Sequence, residues 1–244
     1  MANSSKKIAL VTGANKGIGF EVARQIGRTG ATVLLGARNK VAGEKAAAML
    51  AGEGLATDFI AIDVTDHDSV SAAAATIANE FGHLDILVNN AGISDPADGP
   101  PPAARLDAVE RVWRTNFLGA LAVTQAMLPL LRKALSARIV NVSSGLGSLA
   151  QNGDPDYASA ATKLIGYSAS KAALNMLTVQ LAYLLRDTAI RVNSADPGYT
   201  ATDLNGHRGP QTIPQGAAEA IRLALLPDDG PTGTYSDSKG IVPW

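Results

Sequence analysis

Tyr167 and Lys171 stand four residues apart in the string YSASK, so a helix through them puts both side chains on one face. A phenol ordinarily keeps its proton to about pH 10, too high for exchange near neutrality, and an adjacent ammonium stabilises the phenolate and lowers that value. The pair is therefore suited to acid–base work. Ser144, just after the apolar run IVNV, can donate a hydrogen bond to a carbonyl oxygen as negative charge develops there. Tyr157 lies 13 residues after Ser144, but position 161 is alanine. Without a lysine one turn later Tyr157 lacks the partner that lowers its pKa, so Tyr167 is the acid–base candidate. Tyr157 is expected in a lid or loop-packing role.

A second chemistry is written near the N-terminus. Thr12-Gly13-Ala14-Asn15-Lys16-Gly17-Ile18-Gly19 follows an apolar run and enters a helical pattern. Glycines there allow a tight turn and close backbone approach, and a helix N-terminus offers unpaired N–H groups and a positive dipole end to a pyrophosphate. The next apolar run ends in Gly36-Ala37-Arg38, where selectivity for NAD would ordinarily show a carboxylate for the ribose 2′-hydroxyl. A guanidinium suits a 2′-phosphate, because its planar donors contact two oxygens, and Lys16 adds a second cation. NADP(H) is thus expected over NAD(H).

The elements that must position these groups follow from hydrophobic pattern. Apolar runs KIALVTG, ATVLLGA, DFIAIDV, DILVNNAG, ARIVNVSS, IRVNSADPG and GTYSD read as strands. They alternate with helical segments over 18–28, 41–50, 68–81, 106–135, 167–186 and 213–225. Runs without polar alternation are buried on both faces, which predicts α/β architecture with a doubly wound parallel sheet and helices on both faces. Thr65 with Asp68 and Thr212 with Gln215 have capping-box spacing, and Gly30 and Gly82 follow helix ends. Two irregular stretches, SDPADGPPPAA at 94–104 and NGDPDYASAATKLIG at 152–166, follow carboxyl ends of strands and are candidate pocket walls. No domain-scale linker divides the 244 residues, so one domain is expected over 1–244.

The spacing Gly-x-x-x-Gly-x-Gly is where the chain begins to resemble the short-chain dehydrogenase/reductase family. TGANKGIG at 12–19, Asp63 after the third strand, NNAG at 89–92, Asn116 in TNFLGA, Ser143-Ser144, Tyr167 to Lys171, and PGYTAT at 197–202 carry the resemblance across nearly the whole chain. The ARN string at Arg38, ADPGYTATDL and the ending LALLPDDGPTG look like its NADPH-dependent carbonyl reductase branch. The resemblance implies a Rossmann-type NAD(P)-binding fold and a catalytic set of Asn116, Ser144, Tyr167 and Lys171. In that set Lys171 also holds the nicotinamide ribose, and Asn116 keeps a relay water. It implies cofactor contacts from Gly13, Asn15, Lys16, Gly17, Ile18, Gly19, Arg38, Tyr167 and Lys171. Asp63 and Val64 would lie by the adenine, Asn90, Ala91 and Gly92 near the adjoining ribose, and Pro197, Gly198, Thr200 and Thr202 near the nicotinamide, with Thr202 at its carboxamide. The ten extra residues of spacing that place the catalytic tyrosine at 167 and not at 157 then form an insertion before the catalytic helix, similar to the carbonyl-reductase branch.

The expected reaction is reversible NADPH-dependent reduction of a ketone or aldehyde to an alcohol. The alternatives are reduction of a conjugated C=C or an imine on the same frame, and a catalytically silent NADP-binding regulator. Ile93, Ser94, Leu146, Tyr157, Tyr199 and Leu204 are the expected substrate-lining positions, mainly apolar and suited to a moderately hydrophobic small molecule. A net charge of −1, from 21 basic and 22 acidic residues, argues against nucleic acid or an anionic membrane as partner. The absence of cysteine removes disulfides and thiolate chemistry, and His67, His83 and His207 lack metal-ligand spacing, so no metal is expected. The opening MANSSKK has no apolar core and no apolar run approaches the ~18 residues of a membrane span, which predicts a cytoplasmic protein. A monomer or homodimer is expected rather than a tetramer, since the insertion can cover the surface of the tyrosine-bearing helix. Trp113 is read as packing, and Trp244 as covering a core edge, meeting another subunit or fraying.

Overall fold

The computed structural model describes residues 6–244, so the first five residues of the polar opening segment lie outside the described part. Strands β1 (Ile8–Thr12), β2 (Thr32–Ala37), β3 (Thr57–Ala61), β4 (Ile86–Asn89), β5 (Ala137–Val142), β6 (Ile190–Ala195), β7 (Tyr235–Asp237) and β8 (Gly240–Ile241) join one sheet. Its order is β3-β2-β1-β4-β5-β6-β7-β8. Neighbours are parallel except for β8, which turns back antiparallel on β7. The parallel doubly wound sheet read from the sequence is thus closed at one edge by a short antiparallel strand. Two residues are too few to leave a periodic signal.

Helices α1 (Gly17–Gly27), α2 (Lys40–Gly52), α3 (His67–Glu80), α4 (Leu106–Trp113), α5 (Ala120–Leu131), α6 (Leu149–Gly153), α7 (Ile165–Leu184) and α8 (Ile213–Ala224) surround the sheet. Every residue of β1 is buried, and because successive side chains point to opposite faces, they divide between two cores. Ile8 and Leu10 join Val70 and Ile77 of α3, Val123 and Met127 of α5 and Leu181 of α7. Ala9 and Val11 join Val22 and Ile26 of α1, Leu50 of α2 and Leu223 of α8. This two-faced burial explains why the strand runs lack polar alternation.

Three local expectations are corrected. The helix expected over 106–135 is broken: α4 passes into a π-helical segment, Arg114–Gly119, before α5 begins. That segment packs Gly119 against Val64, whose Cγ2 would lie 2.8 Å from an added Cβ, and turns Asn116 inward, a use typical of π-bulges near functional sites. The helix stops at Leu131, and Leu135 is 97% exposed, with no core to face. The expected Thr65–Asp68 capping box is absent. Asp66 caps α3 instead, its carboxylate accepting from the Asp68 and Ser69 N–H groups, while the Thr65 hydroxyl donates to Asp63 at 2.7 Å. The stretch over 152–166 is not wholly irregular, since α6 takes in its first two residues.

The Thr212–Gln215 box does form, and Gly30 and Gly82 take the positive φ values expected after helix ends. Trp244 stacks on Tyr235, ring centroids 5.4 Å apart, and its carbonyl accepts from the Ala150 N–H. The C-terminus therefore covers a core edge. Trp113 meets Phe117 edge-on at 5.8 Å, as packing. Among the described residues no helix is long and apolar enough to cross a membrane.

Candidate active site

Strand order reverses between β1 and β4, which pair with each other while the chain winds outward through β2 and β3 on one side and β5 and β6 on the other. Loops leaving the carboxyl ends of the strands must diverge there, and the divergence opens a crevice. A cleft of about 1220 Å³ occupies that place.

At one end lies the glycine turn. Gly13 and Gly17 have φ of +64° and +60°, a region open to glycine at little cost. Asn90 pins the turn to β4, its Nδ2 donating to the carbonyls of Thr12 at 2.9 Å and Gly13 at 3.2 Å. Gly19 packs so closely on the Asn90 amide that a Cβ would collide with it. Beyond the turn, Lys16 at the cap position of α1 gives no side-chain cap and the first turn holds no acidic residue, so its N–H groups and positive dipole end face the cleft unneutralised. A Cβ on Gly17 would meet only Thr202 Cγ2, at 3.9 Å, which leaves that approach open.

Arg38 lines the cleft from the end of β2 and has no ion-pair partner among the described residues. It helps hold the Asp63 carboxyl below its ordinary value, though hydrogen bonds from Thr65 contribute more. Lys16 also lines the cleft, but its ammonium lies 2.5 Å from Asp203, a residue given no role from sequence.

At the other end Tyr167 and Lys171 rise from the first turns of α7. Burial pushes the Tyr167 phenol up to about 12, opposed by a hydrogen bond with Ser144. Lys171 is 4% exposed. Its Nζ donates to the Val142 carbonyl at 2.7 Å and stands 5.7 Å from the Tyr167 ring centroid. Desolvation pulls the ammonium down to about 8, with Asp196 as the opposing charge. The lowering of the phenol by the lysine expected from the YSASK spacing is not found: burial dominates, and Lys171 is not among the groups that shift Tyr167. Asp196 itself is raised by burial despite backbone hydrogen bonds from Gly198 and Gly145.

Ser144 is oriented from behind by Tyr235, whose hydroxyl donates to the Ser144 carbonyl at 2.5 Å. Its own side chain accepts from the Leu146 N–H at 3.3 Å. Asn116 is the one member of the expected set that does not line the cleft. Buried at 1% exposure, it accepts from the Ile93 N–H at 2.8 Å and donates to the Ile93 carbonyl and to Ser170 Oγ.

All the other expected cofactor residues, including Asn15, Ile18, Val64, Ala91, Gly92, Pro197, Gly198, Thr200 and Thr202, line the cleft, as do Ile93, Ser94, Leu146, Tyr157, Tyr199 and Leu204. Thr202 also caps a short turn, Asp203–Asn205, in a capping box with Asn205. Ser94 Oγ donates to the Leu204 carbonyl at 2.9 Å, tying the two walls together at the rim. Asp98, Asp196 and Asp203 were missed. Asp196 stood in the quoted ADPG string, but nothing in its spacing showed that it would face Lys171. His83 and His207 each face one carboxylate, Asp85 and Asp203, and no group of three potential ligands gathers among the described residues.

A family model described as short chain dehydrogenase matches residues 7–212. The carbonyl reductase [NADPH] 1 of Sus scrofa is 34% identical, over 99% of this chain and 96% of its own length. The (-)-isopiperitenone reductase of Mentha piperita is 33% identical, over 94% and 96% respectively. Among solved structures, the NADPH-bound carbonyl reductase from chicken fatty liver superposes with a TM-score of 0.84 at 29% identity, covering 98% of this chain and 99% of that one.

Proposed function

The chain belongs to the short chain dehydrogenase family, and on that premise we propose that it reduces ketones or aldehydes to alcohols with NADPH, using Tyr167, Ser144, Lys171 and Asn116. That it is an NADP(H)-dependent oxidoreductase of carbonyl type accords with its carbonyl reductase relatives. One observation carries the assignment of residues: Ser144, Tyr167 and Lys171 line one end of the cleft whose other end presents the uncapped N-terminus of α1 and the guanidinium of Arg38.

The residues present fit the cofactor. The first turn of α1 and the glycine turn would hold the pyrophosphate, Arg38 and Lys16 the 2′-phosphate, Asp63 and Val64 the adenine, and Lys171 the nicotinamide ribose. When bound, NADPH supplies the hydride for the carbonyl carbon. Ser144 orients the substrate oxygen and donates to it as charge grows there. Tyr167, kept protonated by its burial, delivers the proton to that oxygen. Lys171 then favours the phenolate that remains, its ammonium one helical turn away. Asn116 fixes Ile93 and Ser170 and so holds the wall beside α7.

Ile93, Leu146, Tyr157, Tyr199 and Leu204 give the substrate end an apolar and aromatic lining with the Ser94 hydroxyl at its rim, suited to a moderately hydrophobic carbonyl compound. We read residues 1–244 as one domain, since every described strand joins one sheet. The test is to incubate purified protein with NADPH and a panel of ketones and aldehydes, following absorbance loss together with product identity. Alcohol formation supports the proposal, and cofactor binding without product from any carbonyl, enone or imine would leave a binding protein.

A further inference from the structure

Helix α7 begins without a side-chain cap from its own N-cap residue. Leu164, at the cap position, offers no side-chain acceptor, yet the first N–H groups of any helix lack partners within it. All three N–H groups ahead of Ser168 are taken up by the proline-rich loop that follows β4. Ile165 N–H donates to the Gly99 carbonyl at 2.9 Å. Gly166 and Tyr167 N–H groups donate to the two carboxylate oxygens of Asp98, at 2.9 and 2.8 Å. A carboxylate at a helix N-terminus also complements the dipole.

We infer that Asp98 is the positioning residue for Tyr167, fixing the first turn of α7 so that the phenol is held against Ser144. The inference rests on the assignment of Tyr167 as proton donor.

Three features make this an oriented support and not a chance contact. Asp98 is itself fixed: Asp95 accepts from the Ala97 N–H at 2.9 Å, its carbonyl accepts from the Asp98 N–H at 3.0 Å, and Arg111 of α4 holds its carboxylate at 2.9 Å. The approach needs a glycine, since a Cβ on Gly166 would stand 3.1 Å from Asp98 Oδ2 and 3.1 Å from Val109 Cα. Finally, the residues before α7 form turns without a regular element, so they supply no rigid entry to the helix. The height of Tyr167 over the cleft is therefore set by a loop 69 positions earlier in the chain. Lys171 is anchored separately, through Val142, so removing Asp98 disturbs the proton donor more than the ribose contact.

The test compares Asp98→Ala, Asp98→Asn and Gly166→Ala with wild type for kcat, KM and NADPH Kd, all well below each variant's melting temperature, with Tyr167→Phe in parallel. Small displacements of a reacting group lower rates steeply. Asp98→Ala is expected to lower kcat about tenfold or more, with NADPH Kd within about twofold of wild type. Asp98→Asn, which keeps one acceptor oxygen, is expected to lose about fivefold, and Gly166→Ala to resemble Asp98→Ala. If Asp98→Ala does not fold, Asp98→Asn decides. An Asp98→Asn enzyme with wild-type kcat, or losses in kcat matched by equal losses in NADPH affinity, overturns the inference. If Tyr167→Phe retains turnover, the assignment of Tyr167 fails. If Tyr167→Phe is inactive while the Asp98 variants are normal, only the positioning role fails.

Discussion

Lys16 Nζ and Asp203 Oδ2 stand 2.5 Å apart, joining the glycine turn after β1 to the loop after β6 across the mouth of the cleft. His207 faces the same carboxylate at 2.8 Å, and Lys16 is the main cause holding the Asp203 carboxyl below its usual value. Both partners are more than half exposed, so solvent and salt weaken the pair. On the proposed function, a cofactor phosphate would share or displace this lysine. Asp203→Asn should therefore tighten NADPH binding about two- to fivefold, a gain that shrinks as salt is raised. Titrations at low and high ionic strength check it, and weaker binding by the variant would show Asp203 to be a clasp on the bound cofactor.

Arg38 should select the phosphorylated cofactor, since among the described residues no carboxylate forms an ion pair with it and it lines the cleft beside Asp63. A charge-assisted hydrogen bond is worth roughly 1.5–3 kcal/mol, so Arg38→Asp should weaken NADPH about ten- to hundredfold and relatively favour NADH. Dissociation constants for both cofactors decide the point. Unchanged NADPH affinity would remove Arg38 from recognition.

Lys171 should oppose stability while serving function. Its folded value of about 8 lies below the ordinary 10.5, so between those values the unfolded chain binds more protons. Its contribution to stability is thus full above about pH 10.5 and lost as pH falls through about 8. Holding this ammonium in the interior costs about 3 kcal/mol at neutral pH, partly offset by the bond to Val142, worth about 1–3 kcal/mol when its loss strands a buried carbonyl. Lys171→Met should leave the cofactor-free fold about 1 kcal/mol more stable at pH 7, with the advantage gone by about pH 10.5. Denaturant midpoints across that range measure it, and a gap that widens with pH would contradict the sign. Alcohol oxidation by the variant should fall, and recover in part at alkaline pH as phenolate forms without help.

That the glycine turn, the Tyr167–Lys171 pair and Ser144 share one cleft was legible because they lie in short strings that follow the carboxyl ends of strands and whose spacing survives folding. So were the strands, whose two-faced burial removes polar residues from the sequence itself. What stayed hidden depends on partners distant in the chain: Asp98 beneath Tyr167, Asp203 against Lys16, and Trp244 stacked on Tyr235. The π-helical turn was hidden for another reason. Its residues keep a helical hydrophobic pattern, and the i→i+5 backbone bonding that widens the turn leaves no mark on that pattern.

The most direct measurement compares Tyr167→Phe with Tyr157→Phe, scoring kcat for carbonyl reduction and NADPH Kd in each. Tyr157 also lines the cleft, its phenol raised by burial and by the charge of Asp196, but position 161, one turn on, is alanine and not lysine. Loss of a general acid typically lowers rate by about 10²–10⁴-fold. Tyr167→Phe should fall by that order with NADPH affinity retained, while Tyr157→Phe stays within a few-fold of wild type. The reverse ranking would place the proton donor on the inserted loop and contradict the assignment of the active site.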